Sequence, residues 1–214
     1  MIKFLHVVKT GGTTISRHLL KHYPGYKDMR NGVVSNGGEI RFIQGHHGQI
    51  GWENDGAQYM TIVRDPGWWY PSVYNQDRSR TGSEIGFWTW YERGGENTVI
   101  PYGGQKDRQF VYLAKLVNAG NLSEVLWRLE HFWFVTTTEA LDHDLPWLFT
   151  QLDVPGNYEK KRVTGEFDEI DEITITRYFT PTIEEMQRLR GENRLDYMMW
   201  RYVQGLRTRR AYGC

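Results

Sequence analysis

Ile2-Lys3-Phe4-Leu5-His6-Val7-Val8-Lys9-Thr10-Gly11-Gly12-Thr13-Thr14-Ile15 is the stretch from which the architecture is read. Its first part, Ile2 to Val8, is short, apolar and rich in β-branched residues, which predicts a buried strand. The strand runs into a glycine pair. Ile15, His18, Leu19 and His22 then recur at helical spacing until Tyr23-Pro24-Gly25 stops the run. Strand, glycine turn and helix in succession make an anion site, because the N–H groups that open a helix lack intrahelical partners and glycine lets a phosphate approach them. Thr13 and Thr14 add hydroxyl donors, and Lys9 adds a positive charge. The nucleotide pattern G-x-x-x-x-G-K-S/T is absent, since the lysine precedes the glycines and no G-K-S/T triplet follows. Taken alone, Gly11-Gly12 also fits a plain tight turn.

Outward from this unit, residues 25–38 are rich in glycine and asparagine and predict a loop. Arg41–Gln44 is a short strand running into Gly45-His46-His47-Gly48, and Tyr59–Val63 is a third strand ending at Arg64-Asp65-Pro66. Strands separated by helical or loop segments predict an α/β fold with a central parallel sheet flanked by helices. Residues 78–104 hold six glycines with Trp88, Trp90, Tyr91 and Tyr102, and predict a long aromatic loop. Helices follow over 107–118 and 122–129, then a fourth strand over Phe132–Thr137 and a helix over Leu141–Leu152. Residues 153–175 are polar loop, and two helices close the chain over 182–191 and 194–206. The first of these opens with Glu184 and Glu185, where the helix dipole favours acids. No internal repeat interrupts the chain, so residues 1–214 read as a single domain.

Composition narrows the function. The 214 residues are 39% hydrophobic and 24% charged, which excludes wholesale disorder and suits a substantial core. Twenty-six basic residues balance 26 acidic ones, so no broad basic face for nucleic acid is expected, although a local anion site is compatible with that balance. No stretch approaches the roughly 20 apolar residues of a membrane span. Cys214 is the single cysteine, which rules out an internal disulfide and a cysteine metal site and points to a reducing, cytoplasmic setting.

Arg64-Asp65-Pro66 follows the third strand, with Ser72 eight residues after the arginine. Ligands of open parallel sheets sit beyond the carboxyl ends of the strands, which places Arg64 at the same edge as Lys9. An arginine fork with a serine hydroxyl suits a terminal phosphate, while a surface Arg–Asp pair at a turn is the structural alternative. Pro71, directly before Ser72, predicts either a helix that starts near Pro71 or a displaced Ser72. His46 and His47 follow the second strand at the same edge. A histidine with an ordinary pKa near 6.5 suits a general base. Half of a metal site and plain loop hydrogen bonding are the alternatives at this pair. The other histidines, 6, 18, 22, 131 and 143, fall on strands or helices and read as structural.

The two motifs together carry a family resemblance. His6-Val7-Val8-Lys9-Thr10-Gly11-Gly12-Thr13-Thr14 resembles the 5′-phosphosulfate loop of carbohydrate sulfotransferases, H-x-P-K-T-G-G-T-S, with Val8 in place of proline. Thr61-Ile62-Val63-Arg64-Asp65-Pro66 with Ser72 and Tyr74-Asn75 resembles their 3′-phosphate motif, R-D-P-x5-S-x-Y. The likeness continues through Arg108–Ala114, Phe134–Glu139 and the helix with Glu192-Asn193 and Asp196. It is greatest toward heparan and dermatan 2-O-sulfotransferases and their microbial or viral cousins.

The resemblance implies a P-loop-like three-layer fold. It further implies transfer of a sulfuryl group from 3′-phosphoadenosine 5′-phosphosulfate (PAPS) to an acceptor hydroxyl, without a metal. It assigns Lys9 to the bridging oxygen and leaving phosphate, and Thr10, Gly11, Gly12, Thr13 and Thr14 to the 5′ side of the donor. Arg64 and Ser72 fall to the 3′-phosphate, and His46 to the base, with His47 as the alternative.

Trp68, Trp69, Trp88 and Trp90 suit stacking on a sugar ring and equally suit core packing. Arg78, Arg80, Arg93, Lys106 and Arg108 fit an anionic glycan or a solvated face. Lys160-Lys161-Arg162 with Thr164-Gly165 reads as a donor-covering loop or a solvated charge run. The expected partner is therefore a hydroxyl-bearing glycan, with no nucleic acid, no membrane span and the oligomeric state open. Animal relatives of this type carry an N-terminal anchor, and a chain that starts at its first strand is expected to be soluble. Two competing functions remain: an ATP-dependent small-molecule kinase, and an inactive glycan-binding relative.

Overall fold

A computed structural model describes residues 1–29, 32–34, 39–46, 51–53, 55–94, 106–158 and 178–212. Strands β1 (Ile2–Leu5), β2 (Tyr26–Asp28), β3 (Val33–Val34), β4 (Phe42–Gly45), β5 (Gln58–Val63) and β6 (Phe134–Thr137) form one sheet in the order β3-β2-β4-β1-β5-β6. Five of them are mutually parallel, and only β3 pairs antiparallel, on β2. β2 and β3 lie inside the stretch expected to be loop. At three and two residues between glycines they are too short to show any alternation.

Strand alternation divides the core into two layers. Phe4, Met60 and Ile62 face α1 (Gly12–His22) and α6 (Leu141–Gln151), meeting Ile15, Leu19, Leu145 and Phe149. Leu5, Tyr59 and Val63 face the other way, onto α4 (Arg108–Leu116), α5 (Leu122–Glu130) and α8 (Arg194–Tyr212), through Leu113, Val125, Met199 and Val203. Burial on both faces explains the near-continuous apolar runs of β1 and β5. Lys3, buried within β1, is tied to Glu53 and, at 2.7 Å, to Asp55.

Residues 78–104 are not one loop. Helix α2 runs Pro66–Thr81, and Phe87–Glu92 forms a short helix, α3, while 95–105 fall outside the described residues. Phe87 and Trp90 of α3 pack with Trp69, Tyr70, Val73 and Tyr74 of α2 and with Leu189 of α7 (Ile183–Glu192). The expectation at Pro71 is also corrected: α2 passes through it without ending. Pro71 removes one backbone donor, but contacts elsewhere fix the start of the helix. Asp65 caps it by accepting from Gly67 N at 2.9 Å, Pro66 occupies the first position, and Trp69 Nε1 donates to Val8 O at 2.8 Å. Ser72 is therefore a buried residue in the second turn of a continuous helix.

Two acids lock α4 to α8 reciprocally. Asp107 accepts from the N–H groups of Leu195 and Asp196 at 2.7 and 3.0 Å, while Asp196 accepts from Phe110 N at 2.6 Å and Tyr70 Oη at 3.2 Å. Burial pushes the Asp196 carboxyl up to about 7. Between the unfolded carboxyl range near 4 and pH 7, the folded chain thus holds a proton that the unfolded chain has lost, and stability from this site falls as pH rises through that window. Asp196→Ala leaves the donors unpaired and is expected to cost about 1–3 kcal/mol, a fall of about 3–10 °C in Tm. Asp196→Asn is expected to flatten the pH dependence of Tm over that window. Thermal melts at stepped pH check both.

Candidate active site

The site lies where chain direction reverses across the sheet. From β1 the chain crosses to β2 on one side, and from β5 it crosses to β6 on the other, so a crevice opens beyond the carboxyl ends of adjacent strands β1 and β5. The register aligns the neighbouring ends, pairing Leu5 with Gly45 and Val63 with Thr137. His6–Lys9, His46 and Arg64 all leave the sheet at this edge.

The turn after β1 is held open by its backbone. Lys9 and Gly11 take left-handed conformations, φ 62° and 89°. A side chain at Gly11 would also strike Leu141, its Cβ falling 2.6 Å from Cδ1. The Thr10 hydroxyl closes the turn on Val7 O at 2.7 Å, which leaves its backbone as the part available to a ligand. Among the described residues no side chain caps α1, and no acid sits in its first turn, so its opening N–H groups and the partly exposed Thr13 and Thr14 present a positive helix end.

Two cations converge on this end. Burial, reinforced by the charges of Arg64 and Arg80, depresses the Lys9 ammonium to about 8, with Asp77 opposing. The Arg64 backbone is clamped on both sides by one side chain: Arg64 N donates to Gln109 Oε1 at 2.9 Å, and Gln109 Nε2 donates to Arg64 O at 2.8 Å. Its guanidinium donates through Nη1 to Lys9 O at 3.2 Å, while Nε is buried with no hydrogen-bond partner among the described residues. Burial lowers the Arg64 pKa, opposed by Glu139 and Asp65. The alternative of a simple Arg64–Asp65 pair does not hold, because the Asp65 carboxylate is bound by Arg190, whose Nε lies 3.0 and 3.1 Å from its two oxygens. A buried guanidinium N–H without a partner among the described residues suits an outside acceptor.

His46 follows β4 directly. Its Nδ1 lies 2.9 Å from His6 O, and since a carbonyl only accepts, Nδ1 carries a proton, so that in the neutral ring the lone pair belongs to Nε2. The ring stacks on His6 at 4.7 Å and meets the edge of Tyr112 at 6.3 Å. The structure thus gathers Lys9, Gly11, Gly12, Thr13, Thr14, Arg64 and His46 at one edge. His47 and the run Lys160-Lys161-Arg162 lie outside the described residues. Sequence reasoning missed Gln109, which sits inside the resembling stretch Arg108–Ala114 but gives no sign of its two-sided grip on a residue 45 positions earlier.

The tryptophans divide. Trp69 and Trp90 are buried. Trp88 donates to Glu185 at 2.8 Å and has the Arg188 guanidinium 3.9 Å from its ring centroid, so one face is covered. Trp68 is partly exposed. Two of the basic residues considered for an anionic acceptor have structural partners: Arg108 is buried on Gly94 O beside the rings of Tyr70 and Trp90, and Lys106 lies 3.7 Å from Glu192.

No family model matches the chain, and no curated protein matches it. Among solved structures, mouse sulfotransferase SULT7A1 complexed with PAP superposes with a TM-score of 0.51 at 14% identity, over 99% of this chain and 87% of that one. A sulfotransferase from Alicyclobacillus acidocaldarius gives a TM-score of 0.47 at 15% identity, over 94% of this chain and 98% of that one. The likeness to the mouse protein establishes the fold, a P-loop-like α/β architecture of the sulfotransferase type. No helix of the described residues is long and apolar enough to cross a membrane.

Proposed function

We propose that this chain is a single-domain sulfotransferase that moves a sulfuryl group from PAPS to a hydroxyl of a carbohydrate, with His46 as general base. The observation that carries the reading is Arg64, whose part-buried guanidinium has a buried Nε with no hydrogen-bond partner among the described residues, beside Lys9 at the crevice edge. The donor set suits a ligand with two separate phosphate groups. Lys9, the glycine turn and the threonines meet one group, and Arg64 with Ser72 meets the other.

PAPS supplies the activated sulfuryl group. The residues of this chain hold, orient and move a proton. Lys9 offsets the charge that develops on the leaving phosphate, and the helix start fixes the 5′ side. His46 Nε2 takes the acceptor proton, with Nδ1–H held on His6 O. The partly exposed ring of Trp68 favours a sugar acceptor. The kinase alternative has no G-K-S/T hydroxyl to hold magnesium. Incubation with [35S]PAPS and a panel of glycans tests the reading: labelled glycan is expected, whereas PAP binding without labelled product from any acceptor favours the inactive glycan-binding relative.

Lys9 adds a pH signature. Its ammonium is partly deprotonated near pH 8 in the free protein, and an anionic ligand favours the charged form, so binding raises its pKa and takes up a proton. Calorimetric titration of adenosine 3′,5′-bisphosphate (PAP) in buffers of different ionisation enthalpy is expected to show uptake of up to about three-quarters of a proton near pH 8.5. Lys9→Met is expected to abolish it.

A further inference from the structure

We propose that His6 is a positioning residue that holds His46 in one tautomer and one ring plane, an inference that rests on the reading of His46 as the base. Residue 6 is joined to the end of β4 from both sides. Its N–H donates to Gly45 O at 3.0 Å, and its carbonyl accepts Nδ1–H of His46 at 2.9 Å. The His6 side chain is 4% exposed, and its ring stacks on that of His46, with centroids 4.7 Å apart and planes at 25°. Phe4 lies against it at 5.3 Å.

Gly12 completes the enclosure. A Cβ there would fall 2.1 Å from His6 Nε2, 2.2 Å from Cδ2 and 2.7 Å from Cε1, so the imidazole fills the space that any other residue at position 12 would occupy. The first residue of α1 thus abuts the His6 ring, and that ring abuts the base. Gly12 is required for this close approach as well as for any it offers a phosphate. His6 links the donor turn to the acceptor-activating group: its wedged ring keeps the stacked imidazole turned so that Nδ1–H meets the residue-6 carbonyl, and that bond selects the tautomer that leaves Nε2 basic.

The test is 15N NMR of the full chain labelled at its imidazole nitrogens, near pH 8, with the His46 signals assigned by their loss in His46→Ala. Wild type is expected to show His46 as the Nδ1–H tautomer. His6→Ala is expected to move both shifts toward mixed-tautomer values, and His6→Phe, which restores a flat ring, to bring them back. In parallel, [35S]sulfate release from PAPS to water is expected to fall about 10- to 100-fold in His6→Ala, with PAP affinity held within about two-fold. A wild-type His46 protonated at Nε2, or His46 shifts unchanged in His6→Ala, overturns the proposal. The wild-type spectrum decides even if His6→Ala does not fold. His46→Ala with undiminished turnover would instead overturn the base assignment, and the tautomer data show which of the two has failed.

Discussion

Turnover in His46→Ala is expected to fall by about 10²–10⁴-fold, while PAP affinity stays within about two-fold of wild type. The split follows from geometry. His46 stands at the end of β4 and is bonded to the backbone of residue 6, whereas the two cations proposed to hold the donor, Lys9 and Arg64, leave β1 and β5. Removing the imidazole deletes a proton acceptor without touching either cation. Steady-state rates with [35S]PAPS, set beside calorimetric PAP binding, check the split. A parallel loss of binding and turnover would mean that His46 holds the donor rather than activating the acceptor.

Arg64→Ala is expected to produce the opposite pattern, weakening PAP binding by about 10- to 100-fold, in line with the loss of charge-assisted hydrogen bonds. The guanidinium is part-buried and donates to Lys9 O, and its buried Nε has no hydrogen-bond partner among the described residues. ADP, which lacks a 3′-phosphate, should bind the variant about as well as it binds wild type. Arg64→Lys should rescue little, because an ammonium cannot reproduce the planar fork. Calorimetry on the four protein–nucleotide combinations checks the assignment, and an equal loss for PAP and ADP would place Arg64 on the 5′ side instead.

Legibility in the sequence tracked how local each determinant is. β1, β5 and β6 and the helices from α4 onward follow from apolar runs and spacing, because burial on known faces imposes the pattern. β2 and β3 escaped, being too short to carry a period. α2 was misread at Pro71 because its continuity is set by Asp65, Arg190 and the Trp69–Val8 bond, two of which join segments distant in sequence. The site divides in the same way. The placement of Lys9, Arg64 and His46 at one edge was legible because each follows a strand that ends at that edge. The Gln109 clamp was not, since it spans 45 residues. His6 read as a structural strand residue, and only the meeting of its ring with Gly12 and His46 gives it another role.

On the proposed reading, the crevice between β1 and β5 is built for a nucleotide phosphorylated at both the 3′ and 5′ positions. Calorimetric titration of the full chain with PAP, ADP and ATP, each in chelator, tests it most directly. The predicted result is binding of PAP at least about tenfold tighter than ADP or ATP, a difference of about 1.4 kcal/mol. Binding of ATP in preference to PAP, restored or strengthened by magnesium, would contradict the claim and put the kinase reading in its place.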